Sequence, residues 1–378
     1  MPASIRHKHG KLEPISYGNW GRRELAIHGL TCSEFREFTH KLAQELNGEW
    51  SLAIMDASHE EDTSGDSIPR FSGLSSPAGL GLNLPGAPHK IRQHHVFDEA
   101  DLVLLNGNHF TAATQIIFVN ERKPLHKKLE RLSQVILVVT EADHPGIPDF
   151  LKEVVAADTP MLAESDQEGF SLFFRQYLSS QVAPVKGLVL AGGKSQRMGQ
   201  DKRLLEYHGM PQQQYLVKLL KPYCKEVLVS CNAVQAEKIE EPHIVDRLVD
   251  IGPMAGILTA FMNDPNAAWL CVACDLPFLS EKTIEFLIAN RDPSCMATVF
   301  LDAESQLPEP LITIWEPRAY PLLLLALSEG QSCPRKVLMS GKMNYQKAPE
   351  SRELQNINDP EAYKLAKTEL SQARYKPL

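Results

Sequence analysis

Short apolar, β-branched runs alternate with stretches of helical periodicity, and this pattern appears twice along the chain. In the first series ELAIHG, WSLAIMDAS, ADLVLLNGN, TQIIFVN and SQVILVVTE read as strands. Their apolar runs are continuous rather than alternating, as a sheet covered on both faces requires. SEFREFTHKLAQEL and PDFLKEVV read as helices between them. In the second series GLVLAGG, EVLVSCN, HIVDRLVD, AWLCVACD and MATVFLD are the strands, and PQQQYLVKLLKPYC is an apolar-periodic helix. The Pro- and Ser-containing stretch SSQVAPVKG separates the series near residue 182. The pattern therefore predicts two α/β domains, residues 1–182 and 183–378, the first built on a mostly parallel sheet. Residues 60–95, rich in Gly, Pro and Ser with little periodicity, read as a long loop or lid.

Composition narrows this picture. The chain has 378 residues, 43% of them hydrophobic, which is enough for two buried cores. A net charge of −8 and a pI near 5.9 argue against a nucleic-acid surface but leave room for a local basic pocket. Small anions are the expected partners. Seven cysteines, an odd number scattered through apolar segments, give no disulfide framework and suit a reducing compartment. The N-terminal stretch MPASIRHKHGKLEP lacks the apolar centre of a signal peptide, and no apolar run reaches membrane-spanning length. A cytoplasmic protein with no membrane partner is the expectation.

Chemistry concentrates in the second series. In GLVLAGGKSQRMGQDK a strand ends at Ala191, and Gly192 and Gly193 allow a turn whose amides point outward. Such amides form a nest for an anion, and Arg197 and Lys202 add fixed positive charge. The spacing is neither a Walker A loop nor G-x-G-x-x-G, and alone it serves equally as a surface loop. Asp275 follows the buried run AWLCVAC directly and precedes Leu-Pro, which ends the strand. A carboxylate at that edge suits Mg²⁺ bound with phosphate oxygens; capping of a following helix is the competing role. In DIGPMAG, Gly252, Pro253 and Gly256 make a tight turn into a helix, equally read as structural alone, and in QNINDPEAYKLA, Asn356 and Asn358 precede a helix begun by Pro, where capping is the default role. CVAC at 271–274 has metal-like spacing, but positions i and i+3 of a strand face opposite sides, so it reads as core. The clusters HKH at 7–9 and HHV at 94–96, and KKLER at 127–131, read as a solvated pair of loops and an exposed helix face.

Taken in order, these segments resemble the molybdenum cofactor guanylyltransferase family, over about residues 185–365. LAGGKSQRMGQDK is similar to its L-A-G-G-x-S-x-R-M-G-x-D-K signature, and DIGPMAGI to its G-P-L-x-G-I turn with Met254 for Leu. ACDLPFL is similar to its C-D-x-P-F segment, and NINDPEA to its N-x-N-T-P-E ending with Asp359 for Thr. The resemblance implies a three-layer nucleoside-diphosphosugar-transferase-like domain. It further implies that Leu190, Ala191, Gly192 and Gly193, with Gly252, hold the nucleotide, while Arg197 and Lys202 contact its phosphates. Asn232 and Asp246 would help hold the nucleoside, although the spacing from Asp246 to Gly252 is one residue shorter than the family's. Asp275 would bind Mg²⁺ and GTP, and Asn356 and Asn358 would face the pterin. Arg335 and Lys336 of SCPRKVL are further candidates for the pterin phosphate, or solvated charges at a helix start.

The implied reaction joins GTP and molybdopterin and releases pyrophosphate. Related cytidylyltransferases carry A-A-G and D-Q-P where this chain has Ala191-Gly192-Gly193 and Asp275-Leu276-Pro277, so GTP is expected over CTP. A non-catalytic molybdopterin carrier is the alternative of a different class. Residues 20–155 resemble a degenerate form of the guanine dinucleotide biosynthesis adaptor, a P-loop GTP-binding protein. Glu34, Phe35 and Arg36 stand where its Gly, Lys and Ser/Thr would be, so the resemblance implies a binding or docking module without nucleotide hydrolysis. Asn106, Asn108 and His109 are candidates to line a pocket there, or simply a polar strand-end loop. Molybdoenzymes or other cofactor-biosynthesis proteins are the implied protein partners.

Overall fold

The computed structural model describes residues 12–57, 94, 96–141, 147–192 and 201–373. The insert at 60–95 therefore lies almost wholly outside the described residues, as does HKH at 7–9. The chain divides into two compact units, Ser16–Val182 and Ala183–Leu378, the latter joined by Met1–Ile15. Within that second unit Ile15 packs against the core, and the Asn266 amide donates to the Pro14 carbonyl at 3.2 Å.

In the unit Ser16–Val182, β1 (Glu24–His28), β2 (Leu52–Met55), β3 (Leu102–Asn106), β4 (Thr114–Val119), β5 (Gln134–Thr140) and β6 (Met161–Ala163) form one sheet in the order β2-β3-β1-β4-β5-β6. Every pairing is parallel. All residues of β1, β2 and β3 are buried, which is why their sequences show no polar alternation. The helix Cys32–Glu45 starts at a reciprocal cap: Thr31 accepts from the Glu34 amide, and the Glu34 carboxylate accepts from the Thr31 amide. The helix Gln167–Ser180 covers the same face with Phe170, Phe174 and Leu178, spaced by one helical turn.

Three local expectations are corrected. PDFLKEVV makes only a single 3₁₀ turn, Asp149–Leu151, because Pro148 offers no capping side chain and the apolar stripe ends at Val155. KKLER likewise lies in two short 3₁₀ turns, not on a helix face. His94 is not simply solvated either, since its ring stacks on Tyr17 with centroids 4.1 Å apart.

In the other unit, β7 (Val185–Leu190), β8 (Val227–Cys231), β9 (His243–Val245), β10 (Ala268–Ala273), β11 (Ala297–Leu301), β12 (Pro308–Trp315) and β13 (Met343–Lys347) form a sheet in the order β13-β11-β12-β10-β7-β8-β9. Only β12 runs antiparallel to its neighbours. Alternate residues of β10 feed two cores: Trp269, Cys271 and Ala273 on one face, Ala268, Leu270, Val272 and Cys274 on the other. Cys271 and Cys274 thus sit on opposite faces, and burial pushes both thiols up. The helix Pro253–Asn263 is buried nearly all round. At Gly256 a Cβ would come within 2.4 Å of Ser230 Oγ and 2.6 Å of Leu190 Cδ2, so glycine sets how closely this helix approaches β7 and β8.

Candidate active site

Four neighbouring parallel strands, β10, β7, β8 and β9, end along one edge of the sheet, and each ends in a residue of interest. Asp275 follows β10, Gly192 follows β7, Asn232 follows β8 and Asp246 follows β9. The carboxyl ends of strands in an open α/β sheet are where ligands bind.

Asp275 does not cap a helix. The helix Glu281–Ala289 begins at Ser280, while the Asp275 Oδ2 lies 3.4 Å from the Lys202 ammonium. That ammonium also donates to Asn358 Oδ1 at 2.6 Å. The Ile357 amide donates to the Asp275 carbonyl at 2.9 Å, which ties the segment 356–358 to the strand end. Two oxygens in this group, Asp275 Oδ1 and Asn356 Oδ1, are buried and have no hydrogen-bond partner among the described residues. Burial raises the Asp275 carboxyl above its ordinary range, and the Lys202 charge pulls it back only in part. The segments around Lys202 and Asn358 are clamped by an apolar cluster of Leu205, Tyr207, Ile357 and Ala366.

Behind Lys202 lies a polar network that no sequence pattern announces. Arg203 is 3% exposed; its Nε donates to Asp201 Oδ2 at 2.8 Å and its Nη1 to Gln213 Oε1 at 3.0 Å. Gln213 donates in turn to Glu241, and Gln235 Nε2 bridges Asp201 Oδ2 and the Ala191 carbonyl at 3.1 and 3.2 Å. The residue before Lys202 is thus anchored to the end of β7. No sequence signal marks Arg203, because arginine is ordinarily exposed.

On the other side of Gly192, Asp246 accepts from Ser230 Oγ at 2.6 Å through Oδ1. Its Oδ2 faces Gly192, where an added Cβ would stand 3.0 Å away. Burial raises this carboxyl too, against the Ser230 hydrogen bond. The shortened spacing to Gly252 has not displaced Asp246 from the site edge. Asn232 is exposed, and its Oδ1 caps the short helix Ala233–Ala236 by accepting from the Gln235 amide at 2.9 Å. Leu190 and Ala191 are buried, and the Ala191 amide is taken up by the Ser230 carbonyl. Gly252 has a φ of 63° and caps the helix Pro253–Asn263 with open space before it.

Arg335 is committed to protein: it donates to Glu309 Oε2 at 3.1 Å and to the Pro308 carbonyl at 3.0 Å. Burial raises the Glu309 carboxyl, the Arg335 charge lowers it, and the charge of Asp275 raises it further. Gly193 and Arg197 lie outside the described residues.

In the unit Ser16–Val182, Glu34, Phe35 and Arg36 have three separate structural roles. Glu34 completes the helix cap, Phe35 is wholly buried in the core, and Arg36 pairs with Asp56 at 2.8 Å. Asn106 and His109 both meet Cys32, while Asn108 accepts from Lys128 at 2.9 Å.

Comparison with known proteins bears on the second unit. Residues 187–346 match the family model for the MobA-like NTP transferase domain. A molybdenum cofactor biosynthesis bifunctional protein of Synechocystis sp. is 40% identical over 183 residues, 48% of this chain and 53% of that one, so the match spans about half of that relative. A molybdenum cofactor guanylyltransferase of Xanthomonas euvesicatoria is 31% identical over 188 residues, 48% of this chain and 93% of that one. The solved structure of molybdopterin-guanine dinucleotide biosynthesis protein A from Archaeoglobus fulgidus matches at 24% identity with a TM-score of 0.43, over 50% of this chain and 99% of that one. No helix among the described residues is long and apolar enough to cross a membrane. The chain belongs to the molybdenum cofactor guanylyltransferase family, and it is a nucleotidyltransferase.

Proposed function

We propose that the unit containing residues 183–378 transfers GMP from GTP to molybdopterin, forming molybdopterin guanine dinucleotide and pyrophosphate with Mg²⁺ as cofactor. The observation that carries this reading is the convergence of Lys202, Asp275 and Asn358 at the strand edge. The terminal phosphate of molybdopterin attacks the α-phosphorus of GTP, the bond to the bridging oxygen breaks, and pyrophosphate leaves with that oxygen. The attacking phosphate is already ionised near neutral pH, so no general base is needed. What the protein must supply is alignment and charge.

Lys202 supplies a cation that can pass from Asp275 to the triphosphate without leaving the site. Arg197 is proposed as a second. Asp275 Oδ1, which has no partner among the described residues, suits a hard cation that takes oxygen ligands, so Asp275 would hold Mg²⁺. Bound there, Mg²⁺ neutralises charge on the phosphates. Leu190, Ala191, Gly192, Gly193 and Gly252 line the nucleotide in this reading, with Asn232 at the nucleoside. The Asp246 Oδ2, free of Ser230 and facing Gly192, matches the adjacent N–H donors of guanine, whereas cytosine presents fewer donors. Asn356 and Asn358 face the pterin side. Arg335 serves that side only if it leaves Glu309.

We assign the unit Ser16–Val182 a binding role without hydrolysis, as a degenerate adaptor that docks recipient molybdoenzymes or other biosynthesis proteins. Its strand order and the reassigned Glu34, Phe35 and Arg36 support that reading. A cytoplasmic setting is part of the proposal.

Calorimetric titration with GTP and with CTP in Mg²⁺, repeated on Asp275→Ala, tests it. Mg²⁺-dependent GTP binding lost in the variant is expected. A preference for CTP would overturn the base assignment, and no nucleotide binding would leave a molybdopterin carrier.

A further inference from the structure

We propose that the unit Ser16–Val182 carries a second metal site, for a zinc-class divalent cation, built from Cys32, Asp56 and His109. The three donors come from the segments that follow β1, β2 and β3, which are adjacent in the sheet, at its carboxyl edge. Cys32 Sγ, an Asp56 oxygen and a His109 ring nitrogen all lie within 4.8 Å of one another. The distance from Cys32 Sγ to His109 Nε2 is 3.4 Å. Zinc legs of ~2.3 Å to sulfur and ~2.0–2.1 Å to nitrogen, opened to the tetrahedral angle, put those two atoms roughly 3.5 Å apart.

The donor set selects the metal. Thiolate and imidazole with one carboxylate suit zinc and its neighbours, whereas Mg²⁺ demands oxygen throughout. The donors are also held in place by protein. Asn106 is wholly buried, donates to Asp56 Oδ1 at 2.8 Å and stands 3.5 Å from Cys32 Sγ. Its own Oδ1 accepts from the Asn108 amide at 3.0 Å, which fixes the carboxamide. Cys32 opens the helix that Thr31 caps, and Asp56 is 4% exposed. Such outer contacts orient metal ligands before the ion arrives. Three protein donors would leave the fourth tetrahedral position to a solvent or exogenous ligand, and His109 is exposed.

Nearby cations oppose the ion, Arg36 at Asp56 and Lys128 through its charge on Cys32. The Arg36 guanidinium pairs with Asp56 Oδ2 at 2.8 Å, so a metal must share that carboxylate with a cation. The Arg36 side chain is 54% exposed and can withdraw. A Cys32 thiolate would offset its charge. This site stands independently of the reaction assigned to the other unit.

The test is titration of the full chain, stripped with a chelator, by zinc against a chromophoric competitor and by cobalt(II) followed in visible absorption. Wild type is compared with Cys32→Ser, His109→Ala and Arg36→Ala, with circular dichroism to verify folding. One bound equivalent is expected, weakened at least about tenfold by each ligand substitution and tightened by Arg36→Ala. The cobalt complex should carry a thiolate charge-transfer band that Cys32→Ser abolishes. Zinc binding unchanged in Cys32→Ser and His109→Ala, or a wild-type cobalt spectrum without that band, overturns the proposal.

Discussion

Lys202 and Asp275 lie 73 residues apart in the chain, and the lysine ammonium stands 3.4 Å from the aspartate Oδ2. Both side chains are mostly withdrawn from water, at 22% and 17% exposure, so each charge is felt strongly by the other and by any phosphate between them. Lys202→Ala should lower the turnover number by about 10²–10³, the loss seen when one charge-stabilising donor is removed from an active site. Steady-state pyrophosphate release measures it. A loss confined to KM would assign Lys202 to binding that is equal in the ground and transition states.

Asp275 also makes the apo protein sensitive to pH. Burial puts its folded pKa above the unfolded value, so the folded state holds more protons between the two. Wild type therefore loses stability relative to Asp275→Asn as pH rises from about 4 through the raised value. In chelator, Asp275→Asn should melt higher than wild type at pH 7, and the advantage should vanish near pH 4. Lys202 keeps Asn358 as a partner in that variant. Paired calorimetric scans decide the matter, and a pH-independent difference would count against a desolvated Asp275 carboxylate.

Arg203 acts on the chemistry through its neighbours. Arg203→Met leaves buried Gln213 Oε1 without its donor and Asp201 Oδ2 with Gln235 alone, and should cost about 1–3 kcal/mol, since Asp201 also keeps some solvent. Turnover should fall with it, because Asp201 anchors the chain at Lys202. Arg203→Lys keeps the charge but not the fork, and should recover only part of both losses. Melting temperature and kcat on the same preparations test the linkage; a variant that is destabilised but fully active would confine Arg203 to stability.

His28 should confer acid sensitivity on the unit Ser16–Val182. Its ring is 1% exposed, neither nitrogen has a hydrogen-bond partner among the described residues, and burial lowers its pKa to about 4. With the folded value depressed, the unfolded state binds the extra proton, so stability is lost as pH falls from about 6.5 toward 4. The loss at full effect is on the order of 3 kcal/mol. His28→Phe should flatten this slope. Hydrogen exchange of the β1 amides at pH 7 and pH 4.5 reads it locally, and equal slopes in both proteins would contradict the assignment.

The parts of this architecture legible in the sequence are those carried by continuous patterns. The buried runs of β1 to β5, β7, β8 and β10 announce themselves because both faces of each sheet are covered. Asp275 is legible because Leu276 and Pro277 end its strand. PDFLKEVV misleads because two well-spaced apolar residues, Leu151 and Val155, imitate a helical stripe too short to sustain one. Arg203 with Gln213, and Cys32 as the neighbour of the pocket candidate His109, were not legible, since each pair is made by tertiary approach. Glu34, Phe35 and Arg36 show the reverse case. The sequence marks them as departures from a P-loop, and the structure gives each a physical role in cap, core and ion pair.

The most direct test of the central claim is turnover itself: GTP or CTP labelled at the α-phosphate, incubated with molybdopterin, Mg²⁺ and the full chain. Label should pass from GTP to a pterin dinucleotide with stoichiometric pyrophosphate, and Asp246→Asn should reduce the preference for GTP over CTP. Transfer from CTP in preference to GTP, or binding of molybdopterin with no transfer from either nucleotide, would contradict the account.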